Sequence, residues 1–149
     1  VTFEDSTWNE LPWKFEAGTP NIADDIAFAE ACDYLDDIGL ERVHRHEQQL
    51  AEYAHDRLTE QDDVEVYGPP GDDRGGLVAF NLETTHAHDL SSILNDFAVA
   101  IRAGDHCTQP LHDVLGTAAS ARASFYLYNT REEIDALVAA VDEARSIFS

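Results

Sequence analysis

Apolar positions recur at helical spacing early in the chain and give way to period-two alternation further on. Residues 22–38 carry Phe28, Cys32 and Leu35 on one stripe and then meet Gly39, which predicts a helix stopped by glycine, with Cys32 as packing. A second helix is predicted over 40–61, where Leu40, Val43, Leu50, Tyr53, Ala54 and Leu58 are roughly in phase. Residues 64–67 and 77–83 read as neighbouring strands, separated by the Gly- and Pro-rich stretch 68–76. Leu90, Ile93, Leu94 and Phe97 fall at i, i+3, i+4 and i+7, so 86–97 is an amphipathic helix. Residues 98–102 make a short strand and 121–128 a longer one. The last helix, 131–148, has Thr130 and Glu133 as a capping box and Ile134, Leu137, Val138, Val141 and Phe148 as its buried stripe. Residues 1–20 show no period and hold Trp8, Trp13 and the Gly18-Thr19-Pro20 turn. The pattern predicts an α+β fold without repeats: a short, mostly antiparallel sheet with helices packed on one side.

Alternation also sorts the last strand into two faces. Ala123, Phe125 and Leu127 form an apolar set suited to the core. Arg122, Ser124, Tyr126 and Tyr128 point the other way, which makes that face polar and suited to a site.

Charge adds an environment. Thirty acidic residues face nine basic ones, giving a net charge of −21, and Lys14 is the one lysine. Such an excess argues against nucleic-acid or anionic-membrane partners, which require basic patches. A hydrophobic content of 44%, with clear periodicity, argues against disorder. The remaining explanation is a halophilic protein, because self-repulsion is tolerable where the Debye length is only about 3 Å. Cys32 and Cys107 make no disulfide framework, and neither a signal peptide nor a membrane span is apparent, so a reducing cytoplasm is expected. The absence of methionine, position 1 included, fits an excised fragment.

The candidate chemistry concentrates in Arg102-Ala103-Gly104-Asp105-His106-Cys107, with Arg122 fifteen positions further on. Thr108-Gln109-Pro110 reads as a helix opening, and a thiolate is favoured near the orphan N–H groups of a helix N-terminus. A guanidinium fork matches a carboxylate, so the bracketing arginines suggest a nucleophilic sulfur near a small anionic substrate. The same residues also read as a structural cysteine in a loop with two surface arginines. Asp105, His106, Cys107 and His112 carry metal-type donors, but no second cysteine stands nearby and no spacing repeats, so no metal is expected. The pairs His44/His46 and His86/His88 lack the i, i+4 spacing of helical metal ligands.

Three segments carry a resemblance to a known family. Trp13-Lys14-Phe15-Glu16-Ala17-Gly18-Thr19-Pro20 resembles the W-[RK]-F-E-A-G-T-P segment of the group II (Suf-type) cysteine desulfurases and selenocysteine lyase-like enzymes. The Arg102–Cys107 segment resembles their R-[AT]-G-H-H-C loop. Arg122-Ala123-Ser124 with Tyr128-Asn129-Thr130 through Glu132-Glu133 resembles their R-A-S and Y-N-T-x-E-E strand and final helix. These are fold type I pyridoxal-phosphate enzymes, and the chain resembles their C-terminal third. Residues 1–21 would link from a missing large domain, and 22–149 would form the small domain.

The resemblance implies that Cys107 takes sulfur from L-cysteine as a persulfide, releasing L-alanine, for iron–sulfur cluster assembly. It implies that Arg122, and with it Arg102, binds the substrate carboxylate, and that Thr19 reaches the cofactor phosphate of a neighbouring subunit in a homodimer. His106 is a candidate acid/base group. A sulfur-acceptor scaffold protein is the implied partner. Lys14 does not match the Schiff-base position, so the chain alone is expected to be catalytically incomplete. Asp105 departs from the family, which has histidine there; a carboxylate beside a thiol disfavours the thiolate unless His106 is protonated and pairs with it. The alternatives are a selenocysteine lyase and a stand-alone sulfur-carrier module without cofactor.

Overall fold

Burial sorts the chain differently on either side of Gly39. The computed structural model describes residues 3–70 and 73–147. The chain divides into two units, the first ending at Gly39 and the second beginning at Leu40.

The first unit holds a 3₁₀ turn, Trp13–Phe15, and helix α1, Ile22–Ile38. Asn21 caps α1 by accepting from the Asp24 N–H at 3.5 Å, and Gly39 (φ +93°) closes it by donating to the Leu35 carbonyl at 2.9 Å. The stop at Gly39 is as the sequence predicts. The buried stripe is not: no residue of α1 is buried, Phe28 is 72% exposed, and Cys32 is exposed. This unit contains a single α-helix, so its apolar positions find no second layer within it.

The second unit is built from α2 (Leu40–Thr59), β1 (Val64–Tyr67), β2 (Leu77–Leu82), α3 (Ala87–Asp96), β3 (Arg102–Gly104), α4 (Gln109–Leu115), β4 (Ser120–Ser124) and α5 (Arg131–Ile147). The sheet is antiparallel throughout, in the order β1-β2-β4-β3. Val78, Phe80 and Leu82 alternate inward from β2 and Ala121 and Ala123 from β4. They meet Leu50, Ala54 and Leu58 of α2, Leu90 and Leu94 of α3, and Ile134, Leu137, Val138, Val141 and Ala144 of α5. Each fully buried Leu, Ile or Phe side chain contributes about 1.5–3 kcal/mol. Three long helices therefore cover one face of the sheet, as expected. The short α4 stands by the other face, where His112 reaches Ser120.

Two strands shift from their expected places. Residues 98–102 were expected to pair, but Ala98 takes a left-handed turn (φ +60°) that closes α3, and pairing starts only at Arg102. Val99 and Ile101 still pack on the core, so the apolar signal there reports burial without a ladder. The expected 121–128 strand ends at Ser124. Phe125 donates its N–H to the Gly76 carbonyl at 2.7 Å, and Tyr126 to Asn129 Oδ1 at 2.8 Å, which turns the chain. Tyr126 and Tyr128 thus leave the strand and do not share the Arg122 face. At α5 the Glu133 carboxylate accepts from the Thr130 N–H at 3.0 Å, the return half of the expected capping box. Phe148 lies outside the described residues.

Candidate functional site

Gly104 (φ +137°) ends β3, and the next turn is set by Asp105. Its carboxylate accepts from the Cys107 N–H at 3.1 Å, and its carbonyl accepts from the Thr108 N–H and from Thr108 Oγ1, both at 2.8 Å. Within this turn His106 (φ +52°) and Cys107 (φ +61°) are both left-handed, a conformation that costs an L-residue roughly 1–2 kcal/mol. Two adjacent non-glycine residues held there require surrounding bonds that over-determine them. Cys107 is exposed and immediately precedes Thr108, the N-cap of α4. The Asp105 carboxylate, which the family's histidine pattern lacks, is thus engaged with the Cys107 backbone.

His106 and His112 stiffen the loop from behind. His106 Nε2 lies 3.0 Å from the Ser120 carbonyl, which can only accept, so Nε2 carries the proton and Nδ1 is left as an acceptor. Burial holds His106 below the ordinary histidine pKa, with the Arg122 charge working in the same direction. His112 is buried, its Nε2 is 3.0 Å from Ser120 Oγ, and its Nδ1 is 3.3 Å from both Thr108 oxygens. Thr108 Oγ1 spends its only proton on Asp105, so His112 Nδ1 is the donor in that contact. Among the described residues no three His, Cys, Asp or Glu side chains converge on a metal-sized site.

Arg122 is half-buried on β4, directly opposite Arg102 of β3, which is exposed. Arg122 Nε is enclosed and has no hydrogen-bond acceptor, and neither arginine makes an ion pair among the described residues. A pocket of about 380 Å³ opens beside Arg122, with His106, Thr108 and His112 on one wall and Arg74 on another. Leu77, Ala79, Leu111 and Leu115 give it an apolar floor. The structure thus brings His106 and Arg122 into one cavity, whereas Cys107 and Arg102 do not line it. Thr19 lies exposed in the first unit, between the 3₁₀ turn and α1, and Lys14 lies exposed within the 3₁₀ turn itself, its ammonium 5.7 Å from the Phe15 ring centroid. Sequence reasoning missed Arg74 and Ser120, and weighed His112 only as a metal-type donor. Ser120 shares the parity of Arg122 along β4, and Thr108 and His112 stand one helical turn apart, so both carried a signal.

Over residues 1–137 the chain matches the aminotransferase class-V family. It belongs to that family. Relatives of the class-V chain include a cysteine desulfurase of Haloferax volcanii, 73% identical over all 149 residues, and a probable cysteine desulfurase of Halobacterium salinarum, 72% identical over the same length. Both come from halophiles. The cysteine desulfurase CsdA of Escherichia coli, solved in its S-sulfonic acid form, superposes over the whole chain with a TM-score of 0.90 at 36% identity. The chain spans 35–37% of the length of these proteins, and its fold matches the C-terminal part of the class-V architecture. No helix among the described residues is long and apolar enough to cross a membrane.

Proposed function

We propose that the chain acts as the C-terminal part of a pyridoxal-phosphate-dependent cysteine desulfurase, in which Cys107 receives sulfur from L-cysteine. The observation that carries this reading is the turn at His106 and Cys107. Two left-handed residues, one tied to the Ser120 carbonyl and the other to the Asp105 carboxylate, stand beside a cavity into which Arg122 brings a guanidinium with no ion pair among the described residues. Strain of this kind clusters at functional sites. Similarity to cysteine desulfurases over the full chain supplies the substrate class.

The roles follow from the chemistry present. Cys107 offers an exposed sulfur nucleophile. As its thiolate bonds to the substrate sulfur the carbon–sulfur bond breaks, and the electron pair left on carbon takes up a proton, giving a Cys107 persulfide and L-alanine. Pyridoxal phosphate would supply the electron sink when bound. His106 Nδ1, unprotonated at neutral pH, accepts the thiol proton. Arg122 orients the substrate through its carboxylate, with Arg102 beside it. The chain's residues do not by themselves fit covalent attachment of the cofactor: no lysine lines the pocket, and Lys14 lies in the other unit. What this part of the family fold contributes is Thr19 toward the cofactor phosphate of a neighbouring subunit. On this reading residues 1–21 link to a large domain and 22–149 form the small domain of a cytoplasmic homodimer. A sulfur-acceptor scaffold for iron–sulfur assembly takes the persulfide.

Substituting Cys107→Ser in the complete enzyme tests the assignment. Sulfide release from L-cysteine is expected to fall at least a hundredfold, on the order of a lost covalent nucleophile, while the cofactor absorbance is unchanged. Substantial sulfide release by the variant would overturn it.

A further inference from the structure

The connection between β1 and β2 places a second cation on the pocket, and this one is buried. Arg74 is 7% exposed, and its Nη2 donates to the carbonyls of Tyr67 and Gly68 at 2.8 and 3.1 Å. The guanidinium lies over Gly68, whose φ of +90° lets the chain curl beneath it. Carbonyl contacts are neutral and do not balance the charge. Among the described residues Arg74 makes no ion pair; Asp73 lines the same pocket but stands beyond 4 Å of the guanidinium nitrogens. Arg74 Nε is enclosed without an acceptor, the same condition as Arg122 Nε across the cavity. Buried charges are ordinarily paired, and burial acts against the charged form of Arg74 with no acid among the described residues within ion-pair distance to offset it.

Two guanidiniums on one pocket, neither with an ion pair among the described residues, describe with its apolar lining a receptor for a small organic anion. We propose that Arg74 is a substrate-binding residue that acts with Arg122 on the α-carboxylate of the amino-acid substrate and of the alanine product. This rests on the cysteine desulfurase reading and extends it to a residue in the turn-rich 68–76 connection. The carboxylate supplies the negative charge that both guanidiniums lack. Arg102, exposed and outside the pocket walls, is the lesser contributor.

The test uses the complete enzyme with L-cysteine and with cysteamine, which lacks the carboxylate. Arg74→Gln is expected to lower kcat/KM for L-cysteine about ten- to a hundredfold, mainly through KM, and to leave cysteamine within about twofold. Arg74→Lys is expected to fall in between, because it keeps charge and loses the fork. Equal losses on both substrates would make Arg74 a clip for Tyr67 and Gly68 only, and no loss on L-cysteine would remove it from the site. Reduced cofactor absorbance would assign it to the cofactor phosphate and overturn the proposal. Arg122→Lys run in parallel separates the two levels: if it too leaves L-cysteine unaffected, the pocket is not the substrate site at all. A wild-type measurement stands if Arg74 variants do not fold. L-Alanine added to enzyme labelled with ¹⁵N-arginine is expected to shift two enclosed Nε–H resonances, with ethylamine shifting neither. A shift confined to the resonance that Arg122→Lys deletes would overturn the proposal.

Discussion

At the residue scale the site depends on a histidine kept neutral. His106 donates from Nε2 to the Ser120 carbonyl, and burial holds its pKa below the ordinary value of about 6.5. Between the folded and unfolded values the unfolded chain binds a proton that the folded chain refuses, so folding releases that proton. The stability at stake is fully present above about pH 6.5 and is lost as the pH falls through the depressed folded value. In concentrated KCl, wild type is therefore expected to lose more melting temperature between pH 7.5 and 5 than His106→Gln. Parallel curves for the two proteins would show that His106 carries no such linkage. Arg122 was legible because strand parity fixes which way it faces. Arg74 was not, because its place depends on a curl at Gly68 and on contacts through space that no local period encodes.

At the element scale, helix positions followed from periodicity, while strand edges did not. The helices α2, α3 and α5 carry their own hydrogen bonds, so an amphipathic stripe is enough to place them. Strands need partners: β3 begins late because Ala98 turns left-handed, and β4 stops early because Gly76 and Asn129 capture the next two N–H groups. The α1 stripe misled for the opposite reason, since a stripe predicts burial only where a second layer exists. One polar tie between elements is equally beyond sequence pattern. Arg145 of α5 grips Asp63, next to β1, with Nε to Oδ2 at 2.6 Å and Nη2 to Oδ1 at 2.7 Å. The arginine hydrogen bonds hold the Asp63 carboxyl below its usual range. Its stabilisation is thus present above about pH 3.9 and is lost as the pH falls through the depressed value. Asp63→Asn is expected to cost about 1 kcal/mol at pH 7, modest because the pair is part-exposed, and to cost nothing near pH 2. Urea melts at the two pH values measure it, and an equal cost at both would make the contribution one of packing.

At the scale of the whole molecule, charge sets the conditions under which any of this holds. A net −21 on 149 residues means that most carboxylates have no cation to face. The ion pairs among the described residues include Arg57 with Asp135 and Glu60, and Arg145 with Asp63 and Asp142. Two effects of salt then oppose each other. Screening weakens those pairs, which contribute little at the surface. It also relieves repulsion among the many unpaired acids, and the acids outnumber the cations by thirty to nine, so relief prevails. The Debye length falls from about 10 Å at 0.1 M to about 3 Å at 1 M, so screening is nearly complete by 1 M. The chain's melting temperature is expected to rise steeply with KCl between about 0.1 and 1 M and then more slowly to 2 M. Replacing chloride with sulfate at equal ionic strength should extend the rise, because sulfate also strengthens apolar burial. A melting temperature that stays flat or falls over this range would mean the acidic surface does not strain the fold, and the halophilic reading of the composition would be wrong.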